Sequence, residues 1–481
     1  MRRVVAAGMI GNGLEWYDFA LYGYFAPVIG KLFFPGQDVL LQMIATFGVF
    51  AAGFVMRPLG AVFFGYLGDK FGRKFSLTVS MFMMAFPTAA IGMLPTYEHI
   101  GIWAPLLLTF IRLLQGLSLA GQFSGSITFV VEHAPIERRG IVGSTTVMSL
   151  CAGMLLGSLT ATICSSALSK TAFETWGWRI PFLLGLGIAI VGLYIRHGTE
   201  ESPHYEHAKK TGKLSKAPVA HTFQGHVVEL LRGIGVYFSV TVPFYTLTVF
   251  SNSYMILDKA HGGLGLAESK AYLINTGCMV LMLCMVPFTA HLTDIWGRKR
   301  VLMWVATAYF LLAIPIFFVL NEGSAVNALM ANMTLTLIVG FYIGAVPAFL
   351  VELFPTNVRY TGMSIAYNIA AVLGGMTPMI ETWLVRETRV KTDIVLGLYV
   401  ALCIGVAFAA YRLGRRISLA GISLFLKLVS ALAVIAILIG PWAIIKEEMN
   451  TIAVAVYIML CSVVSFIAFI GYHDGYKEKL S

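Results

Sequence analysis

Charge is the scarcest feature of this chain: of 481 residues, Asp, Glu, Lys and Arg make up only 12%, against 58% hydrophobic residues. Soluble domains carry about twice that share of charge, so no soluble surface can be assembled here, and the same apolar weight excludes disorder. Cysteine is sparse too. Cys151, Cys164, Cys278, Cys284, Cys403 and Cys461 all fall inside apolar runs, without the spacing to another Cys or His that a zinc site or disulfide framework needs. The chain has no P-loop, nucleophile elbow, His-Glu-x-x-His or soluble catalytic carboxylate pair. ATP hydrolysis and other enzymatic chemistry therefore find no residues to support them, and no cofactor or metal is implied. What the sequence does hold is 48 Gly, 17 Pro and 33 Phe at a mean hydropathy of +0.80. That mixture suits helices packed in lipid, where small residues allow close approach and Pro is tolerated. The chain reads as an all-α polytopic membrane protein.

A bilayer core about 30 Å thick takes roughly 20 apolar residues per helix. Apolar runs near 4–34, 43–66, 75–97, 102–131, 141–168 and 178–197 give six spans, and runs near 227–256, 268–292, 300–320, 325–354, 360–385 and 393–413 give six more. Between them lies a polar stretch with Glu200, Glu201, Lys209, Lys210, Lys213 and Lys216. The expected organisation is an N-terminal six-helix bundle over 1–198, a central loop over 199–226 and a C-terminal six-helix bundle over 227–415. Residues 416–481 remain, and the runs 417–445 and 449–473 are expected to form an extra C-terminal transmembrane hairpin packed outside the twelve-helix core. Glu15 and Asp18 interrupt what would be a signal peptide's apolar core, so the first run reads as an uncleaved helix. The net charge of +10 comes from Lys and Arg set between apolar runs, not from a stripe interleaved with aromatics, so nucleic acid is not an expected partner. Lys70, Arg73, Lys74, Arg138, Arg139, Arg298, Lys299, Arg300 and Arg359 gather on the side of the termini. The positive-inside rule then places both termini and the central loop in the cytoplasm of a bacterial-type inner membrane.

Two motifs occur twice. Gly65-Tyr-Leu-Gly-Asp69-Lys-Phe-Gly72-Arg73-Lys74 joins the second and third spans, and His291-Leu-Thr-Asp294-Ile-Trp-Gly297-Arg298-Lys299 joins the eighth and ninth. Val131-Glu132-His-Ala-Pro135 precedes Arg139, as Val351-Glu352-Leu-Phe-Pro355 precedes Arg359. Two homologous six-helix halves follow, the layout of carriers with the substrate site between the repeats.

The Asp69-x-x-Gly72-Arg73-Lys74 loop resembles the signature of the major facilitator superfamily. Four further stretches resemble its metabolite:H⁺ symporter group, which includes proline/glycine-betaine, α-ketoglutarate, citrate and shikimate permeases. They are Leu14-Glu15-Trp16-Tyr17-Asp18-Phe19, Arg57-Pro58-Leu59-Gly60, Arg112-Leu-Leu-Gln115-Gly116-Leu-Ser118 and Trp176-Gly-Trp178-Arg179-Ile-Pro181-Phe182. The resemblance implies the major facilitator fold of two six-helix bundles, alternating access by rocking of the bundles, and proton-coupled uptake. The chain departs from it at Ala120-Gly121-Gln122, where many relatives carry a carboxylate in place of the amide, and after about residue 415.

Ionisable groups at membrane depth are functional candidates by default. Glu15 and Asp18 share a helix face with Asn12 and Tyr22, while Arg112, Gln115 and Gln122 follow helical steps on the fourth span. An Arg facing a carboxylate pair can act as an ion-pair switch: protonation frees the Arg for an anionic group of the substrate. Asp18 and Glu15 are thus the expected proton-coupling residues, and Arg112, Gln115, Gln122 and Tyr22 the expected substrate contacts. For Glu15 a buried salt bridge that only fixes packing fits equally well. Tyr367 and Asn368 are expected cavity residues of the second half. Arg57 fits a substrate contact, or better a bond to backbone carbonyls or an acid at the gate. Asp69, Gly72 and Arg73 are expected to gate the cytoplasmic side, with Asp69 capping a helix of the other half and Arg73 pairing with an acid such as Glu132. Asp294 and Arg298 form a weaker second copy. Glycine pairs such as Gly153 and Gly157 read as packing contacts.

The leading expectation is a secondary active transporter, working as a monomer, that takes up a small carboxylated metabolite with protons. The alternative within transport is a proline/betaine-type osmolyte:proton symporter. Another class, a non-transporting sensor or scaffold, conflicts with the retained loop motifs and mid-membrane charges.

Overall fold

The computed structural model describes residues 2–36, 38–71, 73–118, 122–132, 134–187, 225–355, 358–388, 451–469, 472 and 474–475. Side chains are left out of that description at 2–11, 65–66, 68–71, 73–77, 81, 122–125, 129 and 387–388. Gly72 and the side chains of Asp69, Arg73 and Gln122 therefore lie outside the described residues. All regular structure among the described residues is helical. Seven of the helices are long and apolar enough to cross a membrane, from Val39–Phe64 to Arg359–Arg386. The outer faces of these and of the shorter apolar helices carry Val62, Phe86, Trp103, Phe110 and Ile163 exposed, which is surface suited to hydrocarbon and not to water.

Prolines set several breaks. The first expected span divides into Arg2–Tyr24 and Ala26–Phe33, with Pro27 in the first turn of the second piece. The second divides into Val39–Val55 and Arg57–Phe71, with Pro58 at the new start. A residue without an N–H is tolerated there because the first turn's donors lack helical partners anyway. The seventh runs as Val227–Tyr245 with Pro243 near its end, then a π-helical turn at Thr246–Phe250, then Ser251–Ile256.

The halves meet along two matched seams. Arg139–Ala167 of the first half lies along Glu268–Trp296 of the second, and Val39–Val55 lies against Thr377–Thr388. The fifth span of each half thus packs on the second span of the other, as a two-fold relation between repeats requires. Glycine permits close approach at the seam, where a Cβ at Gly140 would strike the Ala290 carbonyl, and within the first half, where one at Gly153 would strike the backbone of Gly13 and one at Gly116 that of Gly53.

The C-terminal segment differs from expectation. Helix Ile452–Ala468 is not packed outside the core but embedded in the second half, against Arg298–Asn321, Val227–Tyr245 and Thr377–Thr388. Its small residues Ala453, Ala455, Ser462 and Ser465 are buried there. Ser239 donates to the Cys461 carbonyl at 2.7 Å, and the Tyr342 and Ser465 hydroxyls meet at 2.6 Å. Beyond the helix, Lys299 Nζ donates to the Tyr472 carbonyl at 2.6 Å. Small side chains let the helix seat deeply, and hydroxyls supply interhelical bonds that lipid cannot. The companion run 417–445 lies outside the described residues.

Gly153→Val is expected to lower the stability of the detergent-solubilised protein by about 1–3 kcal/mol, the usual range for overpacking. Gly187→Ala, where a Cβ meets nothing, is expected to leave it unchanged; thermal unfolding of the two variants checks this.

Candidate functional site

The Arg2–Tyr24 helix runs beside Arg139–Ala167, with Gly13 against Ser149 and Tyr17 and Ala20 against Gly157. Glu15 and Asp18 therefore sit level with the middle of a 29-residue helix, at the depth the sequence indicated. Each is 2% exposed and each has its own arginine. Asp18 Oδ2 lies 3.1 Å from Arg112 Nη1, and Gln115 completes the arrangement: its amide nitrogen donates to Asp18 at 2.9 Å while its oxygen accepts from Arg112 at 2.7 Å. Glu15 Oε1 lies 3.2 Å from Arg57 Nη2. Arg57 also donates to the Tyr367 hydroxyl at 3.2 Å, a contact that crosses to the second half. Arg57 thus bonds an acid, but that acid is Glu15 within the first span.

Aromatic rings enclose both guanidinium groups. Arg112 Cζ lies 3.7 Å from the Tyr22 ring centroid and 5.3 Å from that of Phe19. Arg57 Cζ lies 4.8 Å from the Phe54 centroid and 5.7 Å from the same Phe19 ring. Tyr245 packs edge-on against Phe50 and Phe54, and Tyr237 against Tyr367. Cation–ring contacts of this kind are worth about 2 kcal/mol or more when desolvated. Even so, among the described residues Arg112 Nε and Nη2, Arg57 Nε and Asp18 Oδ1 are buried without a hydrogen-bond partner. Asn368 does not join the cluster through its amide nitrogen, which donates back to Ser364 on its own helix at 2.9 Å.

A second set of charges seals the Arg-rich end of the seam. Asp294 accepts from the backbone N–H groups of Gly140 and Ile141, at 2.8 and 3.0 Å, and so caps the Arg139–Ala167 helix of the other half. Arg298 holds Asp294 at 2.8 Å and grips Glu352 with a two-pronged fork at 3.0 and 3.1 Å. Arg139 reaches Glu352 at 3.6 Å, and Arg359 reaches Glu132 at 2.9 Å. The repeated motif thus pairs crosswise: the Glu of each copy meets the Arg of the other. The described second copy performs the helix cap expected of Asp69. Glu132 is paired, and its described partner is Arg359. Arg139 and Glu352 were legible as motif repeats, yet only the crossing of the halves gives them partners.

The opposite end closes with mostly neutral groups. The Tyr24 carbonyl accepts from Tyr272 at 3.2 Å and Asn252 at 3.4 Å, and the hydroxyls of Ser158 and Thr276 meet at 2.8 Å. One exposed pair, Arg386 with Asp38 at 3.3 Å, spans the second seam. The Arg112–Asp18 and Arg57–Glu15 pairs therefore lie between two closed ends. One acid went unnoticed in the sequence. Glu381 is fully buried on the helix Thr377–Thr388.

Asp294→Asn removes one charge from a buried pair, a change that typically costs about 3–5 kcal/mol, and weakens the helix cap. The Arg-rich end is expected to open more often; labelling of single cysteines placed at each end checks it, with reactivity rising at the Arg-rich end and falling at the other.

A family model for the Major Facilitator Superfamily matches residues 9–378. The chain is 36% identical over 398 residues to the glycine betaine/proline/ectoine/pipecolic acid transporter OusA of Dickeya dadantii, covering 81% of this chain and 78% of that one. It is 35% identical over 400 residues to the proline/betaine transporter of Escherichia coli K12, covering 81% and 79%. Among solved structures, the xylose transporter XylE from E. coli superposes with a TM-score of 0.65 at 16% identity, over 92% of this chain and 98% of that one. At that identity the likeness speaks for the fold alone. The chain belongs to the Major Facilitator Superfamily and, through its relatives, to the metabolite:H⁺ symporter group: a multi-pass secondary transporter and not an enzyme.

Proposed function

We propose that the protein imports a small zwitterionic osmolyte of the proline/betaine type with protons, by alternating access across a bacterial-type inner membrane. The carrying observation is the charge balance of the central cluster: two buried carboxylates, two buried guanidinium groups, and polar atoms on both arginines and on Asp18 that no described residue pairs. A net-neutral site has no excess positive charge to hold an organic anion, so an uptake reading for organic acids has less support than its alternative. A zwitterion can instead exchange partners pairwise. Its carboxylate takes the donors of Arg112 and so loosens the hold on Asp18, while its cation lies against the aromatic faces of Phe19, Tyr22 and Phe54. The relatives named above as proline and betaine transporters support the same choice.

In this reading Asp18, freed of Arg112 by the substrate, becomes the group that can accept a proton. Glu15 and Arg57 link that event to the second half through Tyr367. The crossed ion pairs at the Arg-rich end form the cytoplasmic gate, since basic loops mark that side. Their release and re-formation let the bundles rock about the site.

Counterflow in proteoliposomes tests the substrate class: trans-loaded proline or betaine should drive labelled uptake, and dicarboxylates should not. Exchange of dicarboxylates alone would return the organic-acid reading. Arg112→Lys cannot reproduce the planar fork, and losing bonds worth about 1.5–3 kcal/mol should raise the half-saturation concentration roughly ten- to a hundredfold. Asp18→Asn should retain counterflow but lose accumulation driven by an inward proton gradient, measured against an ionophore control.

A further inference from the structure

Glu381 lies outside both ion pairs and outside the gate. It is 0% exposed, and among the described residues no cation contacts it. The helices around it offer none. Val39–Val55 and Thr246–Phe250 contain no ionisable residue, and Tyr237, Tyr245 and Tyr367 of the neighbouring helices turn toward Arg57. From Ile452–Ala468 only Tyr457 and Cys461 lie within electrostatic reach. Arg386, on its own helix, is engaged with Asp38.

Among the described residues its one hydrogen-bond partner is Thr246. The Thr246 oxygen lies 2.5 Å from Glu381 Oε1 and 2.9 Å from the Val242 carbonyl oxygen. A threonine hydroxyl has one proton, so it can donate fully to only one of these two acceptors. Both contacts are satisfied together if Thr246 donates to Val242 and the proton between Thr246 and Glu381 belongs to the carboxyl group. The second oxygen, Oε2, is buried with no partner among the described residues. As half of a carboxylate it would leave an uncompensated charge at membrane depth, at a cost of several kcal/mol; as the carbonyl oxygen of an acid it leaves only an unfilled acceptor.

We infer that Glu381 is a proton-binding site of the second half, held in this closed state as the neutral acid with Oε1–H donating to Thr246. Its helix packs on Val39–Val55 across the seam, so parting of the halves at that seam would admit water to take the proton. Thr246 opens the π-helical turn that interrupts the seventh span, and its bond to Val242 is the usual i, i−4 contact of a helical threonine. Two acids could then share the coupling: Asp18 responds to substrate in the first half, and Glu381 responds to opening in the second. The coupling role rests on the transporter reading above; the protonation does not.

Infrared spectroscopy of the full chain in lipid tests the protonation directly. At neutral pH the wild type should show the carbonyl stretch of a protonated carboxyl, retained in Asp18→Asn and Glu15→Gln and lost in Glu381→Gln. Thr246→Val should shift that band to higher wavenumber by removing its acceptor, which keeps the test open if Glu381→Gln does not fold. Absence of the band in the wild type, or its persistence in Glu381→Gln, would overturn the inference. Transport supplies the second arm: Glu381→Gln should keep counterflow with unchanged half-saturation and lose gradient-driven accumulation. Accumulation with the wild-type pH profile would reduce Glu381 to a packing residue. A wild type that ignores the gradient would instead overturn proton coupling as a whole and leave the infrared result standing.

Discussion

A cation withdrawn from water must find an anion within a few ångströms, and the centre of this protein is arranged around that constraint. Arg112 and Arg57 are buried almost completely, and their acids are both supplied by the Arg2–Tyr24 helix. An unpaired guanidinium at that depth would cost several kcal/mol, so the two ion pairs dictate how close three helices of the first half must come. Glycine at Gly60 lets the Arg57 helix close on the Arg112 helix, Gly53 and Gly116 do the same one turn away, and Gly13 and Gly153 dock the acid-bearing helix on Arg139–Ala167. Through Tyr367 the same network reaches the second half, so charge pairing in one bundle depends on where the other sits.

Buried charge is used in two ways. At the Arg-rich end Arg298 spends every side of its guanidinium on Glu352, Asp294 and the Thr293 carbonyl. Such a saturated arrangement holds surfaces together and offers nothing to a ligand. In the centre, Arg112 keeps two nitrogens without partners among the described residues and is flanked by rings in place of acceptors. A partly satisfied buried network is a poor way to build stability alone, but it leaves donors for a molecule that brings its own carboxylate. The opposite end closes with hydroxyl, amide and carbonyl contacts and one exposed ion pair. The two ends therefore differ in the chemistry that must be undone to open them.

The C-terminal helix extends this account to a part of the chain beyond the matched family region. Ile452–Ala468 does more than add hydrophobic bulk. It places Cys461 and Tyr457 near Glu381 and gives its Ser465 hydroxyl to Tyr342. The surroundings of Glu381, a buried acid that no described cation pairs, are thus built partly by a segment that lies more than 60 residues along the chain from it.

Much of the fold was legible without coordinates, because hydrocarbon imposes long apolar runs and positions charge where it can be paired. The duplicated loop motifs announced two related halves, and the i, i+3 spacing of Glu15 and Asp18 put both acids on one face. Arg112 and Gln115 were legible for the same reason, being polar residues in a helix that had no other use for them. Partners across the seam were not legible. Arg57 with Tyr367, Arg139 with Glu352 and Arg359 with Glu132 join residues 213 to 310 positions apart, and only the docking of the halves brings them together. Helix Ile452–Ala468 read as an appendage because hydropathy reports length and polarity, not which neighbours a helix seats against. Composition and periodicity thus determined that the chain crosses a membrane in two related bundles with charge at their centre. Tertiary packing alone decided which acid meets which base, since that pairing depends on interhelical distances of a few ångströms that no local pattern records.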